Sequence, residues 1–497
     1  MKYHIKYSPE MTTKSRIVRT RFCRQLRKNV ARVLREQLEL RDQAAFPDDP
    51  DAALIEAHWD YLEVILPPSR AALAPEVEVV LGNTPGIWSY QRVEERELGS
   101  FDDIVKLAAA VCGNQLKGKT FVVRCRRTGK HSFNSMDVER YVGGGLLRCT
   151  DAKGVDLHSP EVTVRLEIRH DRLYIGAEPR DGIGGFPLGT QDAVLSLISG
   201  GFDSAVASFL SMKRGMRTHF LFFNLGGREH ELAVKEVALF LWQRYGASHG
   251  VYFITVPFEG VVAEILDKVE NSQMGVILKR MMLRAATMVA DKLGVPALVT
   301  GEAIAQVSSQ TLINLSIIDE VTPRLVLRPL VMSDKQDIVD LARKIGTAEF
   351  SAAIPEYCGV ISVKPTTRAK RHRIEREENR FDFQILEQAV ADAVTYDIRT
   401  LSAEAEQPAA VMPQVVAQVS PDATVIDIRH PDEEERRPLQ VVGTEVLKIP
   451  FYKLSTAFAG LDPKRQYLLY CSKGVMSKLH AAHLLEQGNS NVGVYRP

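Results

Sequence analysis

A chain of 497 residues, 45% hydrophobic and 25% charged, has room for about three domains, and these proportions exclude a disordered chain, a collagen and a coiled-coil rod. Sixty-three Lys and Arg against 62 Asp and Glu leave a net charge of +1, a total that conceals local asymmetry and does not exclude a polyanionic partner. No apolar run reaches the roughly 18 residues of a membrane span, Met1–Lys6 lacks a signal-peptide core, and no cysteine pair is spaced C-x-x-C, so membrane insertion, secretion and a zinc ribbon are disfavoured and a reducing cytoplasm is expected.

The first elements are basic. Lys14, Arg16, Arg19, Arg21, Arg24, Arg27, Lys28, Arg32 and Arg35 stand in one acid-free stretch, interleaved with Ile17, Phe22, Leu26, Val30, Val33 and Leu34 at helical spacing. This predicts an amphipathic helix with a cationic outer face, suited to nucleic acid. His58–Leu66 reads as a strand stopped by Pro67-Pro68, a helix resumes at Ala71, and Thr84-Pro85-Gly86 is a turn. Thr120–Arg127 alternates as a strand, Asp137–Tyr141 reads as a helix ending at Gly143-Gly144-Gly145, and Val162–Ile168 is a further strand. Together these make a small α+β unit whose strand and loop carry Arg124, Arg126, Arg127, Lys130 and His131, a second basic cluster.

From about residue 175, short apolar strands (Ala193–Ile198, His219–Asn224, Val251–Val256, Ala297–Thr300) alternate with helices, the pattern of a doubly wound parallel sheet. Residues 401–424 are rich in Ala, Gln, Val and Pro, lack Gly and read as a linker. Residues 425–497 form a last α/β unit with strands at Val425–Ile428, Val446–Ile449 and Tyr467–Tyr470.

The strongest motif follows the first of the 193–300 strands. Ser199-Gly200-Gly201-Phe202-Asp203-Ser204 joins a buried-type strand to the helix Ala205–Arg214. Glycines let backbone N–H groups approach an anion, and the helix N-terminus adds partial positive charge. The spacing matches neither a Walker loop nor a G-x-G-x-x-G turn. The hexapeptide resembles the pyrophosphate loop of N-type ATP pyrophosphatases, which split ATP into AMP and pyrophosphate. Gly184–Thr190, Gly275–Met282, Val299-Thr300-Gly301-Glu302, Gln306–Gln310 and Pro355–Val360 narrow the likeness to the tRNA 4-thiouridine synthase (tRNA sulfurtransferase) family, in its long form.

That resemblance spans essentially the whole chain. It implies an N-terminal ferredoxin-like unit (1–60), a THUMP RNA-binding domain (61–168), an ATP pyrophosphatase domain (175–395), the linker, and a rhodanese-like domain (425–497). It implies that Leu197 and Ile198 contact ATP through the backbone, with Ser199, Gly200, Gly201 and Ser204 in the loop, Lys279 near the adenylate, and Gly301 and Gln310 lining the site. Asp203 would serve adenylation through the Mg2+ that travels with ATP, no direct metal motif being present, and Lys335 would lie near the reacting centre. Arg16, Arg19, Arg24, Arg27, Lys28, Arg124, Arg126, Arg127 and Lys130 are the candidate RNA contacts.

Tyr467–Tyr470 ends at Cys471, and a helix opens just beyond. A sulfur there faces N–H groups that favour an anion. Ser477 stands where phosphatase loops carry Arg, which disfavours phosphatase chemistry. Cys-x-x-Gly and Asp427-Ile428-Arg429 resemble rhodanese, which implies a persulfide on Cys471; the family resemblance further implies a transient disulfide between Cys471 and Cys358. Cys23, Cys112, Cys125 and Cys149 read as packing residues.

The implied reaction is ATP-dependent sulfur transfer to uridine 8 of tRNA through an adenylated base. A cysteine desulfurase would supply the sulfur. A thiocarboxylate-forming carrier protein for thiamine thiazole synthesis is a further candidate acceptor, and a homodimer a candidate assembly. Two other readings compete: a tRNA-binding sulfur relay without adenylation, against which Asp203 and Lys279 count, and an ATP pyrophosphatase acting on a small molecule, against which the basic N-terminus counts.

Overall fold

The structure is a computed structural model that describes residues 1–176, 178–225, 227–354, 365–401, 413–420, 422–429, 434–435, 437–441, 443–450, 454, 457–472, 474–486 and 488–497. Its contacts divide the chain into two compact units: Met1–Gln191 with Met212–Arg217 and Arg244–His249, and the remainder.

The first unit is built on a nine-stranded sheet. Its path runs Leu54–Ala57, Tyr61–Ile65, Lys2–Tyr7, Ile87–Glu97, Arg172–Gly176, Val162–Arg169, Thr120–Thr128, Gly154–Val155, with Arg180–Asp181 paired to Ile87–Glu97. Tyr61–Ile65 pairs with both Leu54–Ala57 and Lys2–Tyr7, so the sheet is continuous across the expected 60/61 boundary. The basic helix spans Arg16–Leu38 and buries Phe22, Leu26, Val30, Val33 and Leu34; each such side chain contributes about 2 kcal/mol of transfer free energy.

The helices Phe101–Leu116 and Ser135–Cys149 both start on capping boxes, Ser100 with Asp103 and Asn134 with Asp137. The second helix corrects the sequence reading, because it runs through Gly143-Gly144-Gly145 instead of stopping there. A Cβ on Gly145 would come within 2.5 Å of Val105 Cγ2. Glycine here permits two helices to touch, which offsets its helix-propensity cost of about 1 kcal/mol.

The second unit holds a six-stranded sheet in the order Leu325–Leu327, Ala297–Val299, Gln191–Leu197, Met216–Asn224, Tyr252–Pro257, Val394–Asp397. Ala297–Val299 pairs parallel with Gln191–Leu197 and with Leu325–Leu327, and Met216–Asn224 pairs parallel with Tyr252–Pro257; only the edge strand Val394–Asp397 is antiparallel to its neighbour among these pairs. Phe220, Leu221 and Phe222 are all buried, as expected for a strand covered on both faces. Chain order reverses between Gln191–Leu197 and Ala297–Val299. Open α/β sheets bind ligands at the carboxyl ends of strands at such a switch point, and the 199–204 loop begins there.

The C-terminal sheet has five strands, Val415–Val416, Val492–Tyr495, Gln466–Tyr470, Ala423–Asp427 and Val446–Lys448, paired parallel throughout. The expected linker is corrected in part: it supplies an edge strand, Val415–Val416, and the start of Ala423–Asp427. Its residues 402–412 lie outside the described residues. Among the described residues no helix is long and apolar enough to cross a membrane.

Candidate functional site

The phosphate-type loop is closed by its own last residue. Ser199 N–H donates to Ser204 Oγ (3.1 Å), and Ser204 Oγ donates to the Gly201 carbonyl (3.1 Å). Ile198 N–H is tied to Leu221 O across the sheet (2.9 Å). Gly200 has φ +80°, and a Cβ there would stand 2.5 Å from Ile354 Cδ1, so the turn requires glycine. The helix Phe202–Lys213 starts directly after, its positive end at the loop. Gly301 presses onto the first turn of that helix: a Cβ on it would fall 2.6 Å from the Asp203 carbonyl carbon and 2.7 Å from Ser204 N.

Two distant segments converge on Asp203. Lys335 Nζ lies 2.8 Å and 2.9 Å from its two carboxylate oxygens, and Gln306 Nε2 donates to Oδ2 (2.9 Å). Lys335 is also the first residue of the helix Lys335–Ile345, so its helix-start position and its reach to Asp203 are both realised. Gln306 follows Ala305, a non-glycine residue at φ +61°, where backbone strain is held at the loop that delivers the amide.

Lys279 comes from the middle of the helix Met274–Leu293 and stands 3.6 Å from Glu302 Oε1. Gln310 ends a short turn, Ser308–Gln310, and is buried; its Oε1 has no hydrogen-bond partner among the described residues. An orphaned buried amide oxygen fits a ligand that brings donors, such as an adenine amine.

His230 was not singled out from the sequence. Its ring is buried, sits edge-on to Phe222 (4.8 Å between centroids) and has the backbone of Ser199 as a partner. Burial lowers its proton affinity and the Ser199 contact works the other way, with burial prevailing. Nothing local in Arg228-Glu229-His230-Glu231 marks this role.

Cys471 follows the Gln466–Tyr470 strand in the C-terminal sheet and is buried. Its Sγ accepts from Ser477 N–H (3.3 Å), and the Ser477 hydroxyl lies 3.4 Å away. Gly474, at φ +73°, turns the loop and returns its N–H to the Cys471 carbonyl (3.1 Å). Asp427 and Arg429 form a buried bidentate pair beside it, and Ile428 N–H donates to Tyr470 O. Cys358 lies outside the described residues. Of the cysteines read as packing residues, Cys23, Cys112 and Cys125 are buried, and burial pushes the last two up to about 11; Cys149 is exposed, a correction.

The basic face is narrower than its sequence. Arg19 donates to the Trp59 carbonyl (2.6 Å) and Asp60 (3.0 Å) and stacks on the Trp59 ring. Arg27 donates to Ile55 O (2.8 Å) and grips Asp42. Arg124 reaches Leu157 O, and Arg127 reaches Gly129 O and His131. Arg19 is buried and Arg27 and Arg127 are half-buried in these contacts, whereas Arg124 remains exposed. Arg16, Arg24, Lys28, Arg126 and Lys130 are exposed. Arg16, Arg21, Arg24 and Lys28 line an open depression of about 480 Å³ with Ile17, whose side chain is exposed.

Comparison with known proteins agrees with this geometry. The family described as "Thiamine biosynthesis protein (ThiI)" matches residues 189–383, and the THUMP domain matches residues 99–178. The chain is 55% identical to a tRNA sulfurtransferase of Pseudomonas aeruginosa and 52% identical to one of Saccharophagus degradans, each over 100% of both chains. It is similar to a crystal structure described as a 4-thiouridine synthetase–RNA complex with bound ATP, at 25% identity and a TM-score of 0.67, covering 80% of this chain and 99% of that one. Identity above one half along the full length of both chains shows that this protein belongs to the tRNA sulfurtransferase family.

Proposed function

We propose that this enzyme uses ATP to convert uridine 8 of tRNA to 4-thiouridine. The observation that carries the reading is the convergence of Lys335 and Gln306 on Asp203, beside an anion-binding loop at the sheet's switch point. The likeness to a synthetase solved with RNA and ATP supports it. Uracil O4 attacks the α-phosphate, pyrophosphate leaves, and the base becomes adenylated. The Ser199–Ser204 loop holds the phosphates, Lys279, Gly301 and Gln310 line the nucleotide, and Leu197 and Ile198 meet it through the backbone. Mg2+ arriving with ATP would supply charge neutralisation, with Asp203 the carboxylate that would hold it and Lys335 adding positive charge.

Sulfur follows as a persulfide on Cys471. Its terminal sulfur attacks C4 and AMP leaves, giving a base–S–S–Cys471 adduct. The Cys358 thiolate attacks the Cys471 sulfur, 4-thiouridine is released, and a Cys358–Cys471 disulfide remains for an external thiol to reduce. Such a cycle fits a reducing cytoplasm. Ser477 N–H, aimed at Sγ, and the parallel C-terminal sheet support a rhodanese-like role for residues 425–497. A cysteine desulfurase is the donor. The match to the family described by thiamine biosynthesis supports a carrier protein as a second acceptor. Residues 1–60 and 61–168 serve as ferredoxin-like and THUMP units, 175–395 as the ATP domain, and two copies form a homodimer. RNA lies on Arg16, Arg24, Lys28, Arg126 and Lys130, because helical RNA is read through shape and backbone.

Nucleoside mass spectrometry tests this on unmodified tRNA incubated with the protein, ATP, Mg2+, cysteine, a desulfurase and a reductant. The expected result is a 4-thiouridine peak that requires ATP. No peak, with the protein folded and carrying persulfide, would overturn the reading in favour of a sulfur relay.

A further inference from the structure

A chain of charges runs from Lys279 through the buried Glu302 to Arg328 and Asp319, and the chemistry above uses only its first member. Glu302 directly follows Gly301 and is 5% exposed. Its Oε2 accepts from Arg328 Nε (2.9 Å) and from Thr300 Oγ1 (3.0 Å), while its Oε1 stands 3.6 Å from Lys279 Nζ. Arg328 continues to both oxygens of Asp319, at 2.8 Å and 2.6 Å. Burial alone would push the Glu302 carboxyl up. The charges of Lys279 and Arg328, with the Arg328 and Thr300 hydrogen bonds, outweigh it and hold the group below the usual range.

Two arguments set this apart from an ordinary core ion pair. A buried pair is poor value for stability, since apolar residues of like volume often serve as well. Arg328 moreover has a bidentate carboxylate in Asp319, so Glu302 is surplus to Arg328's own charge balance. What Glu302 adds is its second oxygen, which faces Lys279 while Arg328 and Thr300 hold the first.

We infer that Glu302 is a positioning residue, which directs the Lys279 ammonium toward ATP while Arg328, Asp319 and Thr300 hold the carboxylate still. At 3.6 Å the contact is an ion pair that biases where an ammonium with three donors sits. The inference rests on the reading of Lys279 as an ATP-site residue.

The test is pyrophosphate release by the full-length protein with unmodified tRNA, over a range of ATP concentrations. Glu302→Gln keeps the shape and removes the charge. It should raise the ATP KM by about tenfold and leave kcat within about threefold. Lys279→Ala should raise KM by a similar factor, and the double variant should be no more than about twofold worse than Lys279→Ala alone. Glu302→Asp should recover part of the loss. Asp319→Asn, which loosens the frame from a half-exposed position, should give a smaller KM rise and keeps the test open if Glu302→Gln does not fold. Losses that multiply in the double variant, or a normal KM in Glu302→Gln, would overturn the inference. No release by the wild-type protein would instead overturn the ATP-site reading on which it rests.

Discussion

Lys335 and Asp203 are neighbours only in space: the Nζ of a residue that opens one helix rests against both oxygens of an acid in the first turn of another. Lys335 is 47% exposed, so the pair is worth at most about 1 kcal/mol to stability. Lys335→Met and Asp203→Asn should therefore each cut pyrophosphate release by about 100-fold or more while the melting temperature moves by only a degree or two. Parallel activity and thermal-melt measurements check this. Normal activity in either variant would remove that residue from the reaction.

Gly301 and Gly294 make a contrasting pair. Gly301→Ala places a Cβ against the backbone of Asp203 and Ser204, which cannot rotate away, so the loop must shift. Activity should fall by about 100-fold. Gly294, at φ +64°, caps its helix with nothing near its missing Cβ, so Gly294→Ala should cost only about 1–2 kcal/mol and leave activity intact. Urea titration and the thiolation assay separate the two outcomes.

Arg24 and Arg27 sit on one helix with different duties. Arg24→Ala should weaken tRNA binding and reduce the slope of log K against log salt by about 1, with stability unchanged. Arg27→Ala removes the grip on Asp42 and Ile55 O, and should lower the melting temperature before it changes the salt slope. A binding titration over several salt concentrations, with melts of both variants, decides this.

Cys471→Ala should abolish persulfide loading by a desulfurase, seen as the loss of a 32 Da adduct in intact mass, about one sulfur atom. ATP-dependent pyrophosphate release should persist, because the proposed reaction assigns that step to the Asp203 site. Full thiolation by this variant would remove Cys471 as carrier.

His249 predicts a pH dependence of stability. Burial first, then the charges of Arg32 and Arg217, push its imidazole down from 6.5 to about 4. The unfolded chain therefore takes up the proton first as pH falls. This contribution is whole above pH 6.5 and is lost progressively toward pH 4, reaching up to about 3 kcal/mol. Denaturation midpoints at pH 7.5 and 5 should differ by less in His249→Gln than in the wild type.

Much of this was legible along the chain because it depends on neighbours in sequence. The hexapeptide Ser199–Ser204 closes on itself through Ser204 Oγ, so its conformation is local and its motif could be read directly. The strands Gln191–Leu197, Met216–Asn224 and Tyr252–Pro257 announced themselves by continuous apolar residues. The Cys471 loop was likewise visible, since its donor Ser477 lies within the same turn into the helix.

The rest needed contacts between residues far apart. Gly143-Gly144-Gly145 looked like a stop because glycine usually breaks helices, and only the approach of Val105 explains why this one continues. Charge along the Arg16–Leu38 helix was countable, but whether Arg19 and Arg27 faced RNA or Asp60 and Asp42 depended on which loops folded against them. The amino-acid sequence by itself determined the anion loop, the basic helix and where the strands fall along the chain, through local spacing and periodicity. Only the tertiary structure decided that Gln306 and Lys335 meet on Asp203, and that Glu302 stands between Lys279 and Arg328, because those partners are brought together by the reversal of strand order at the centre of the sheet.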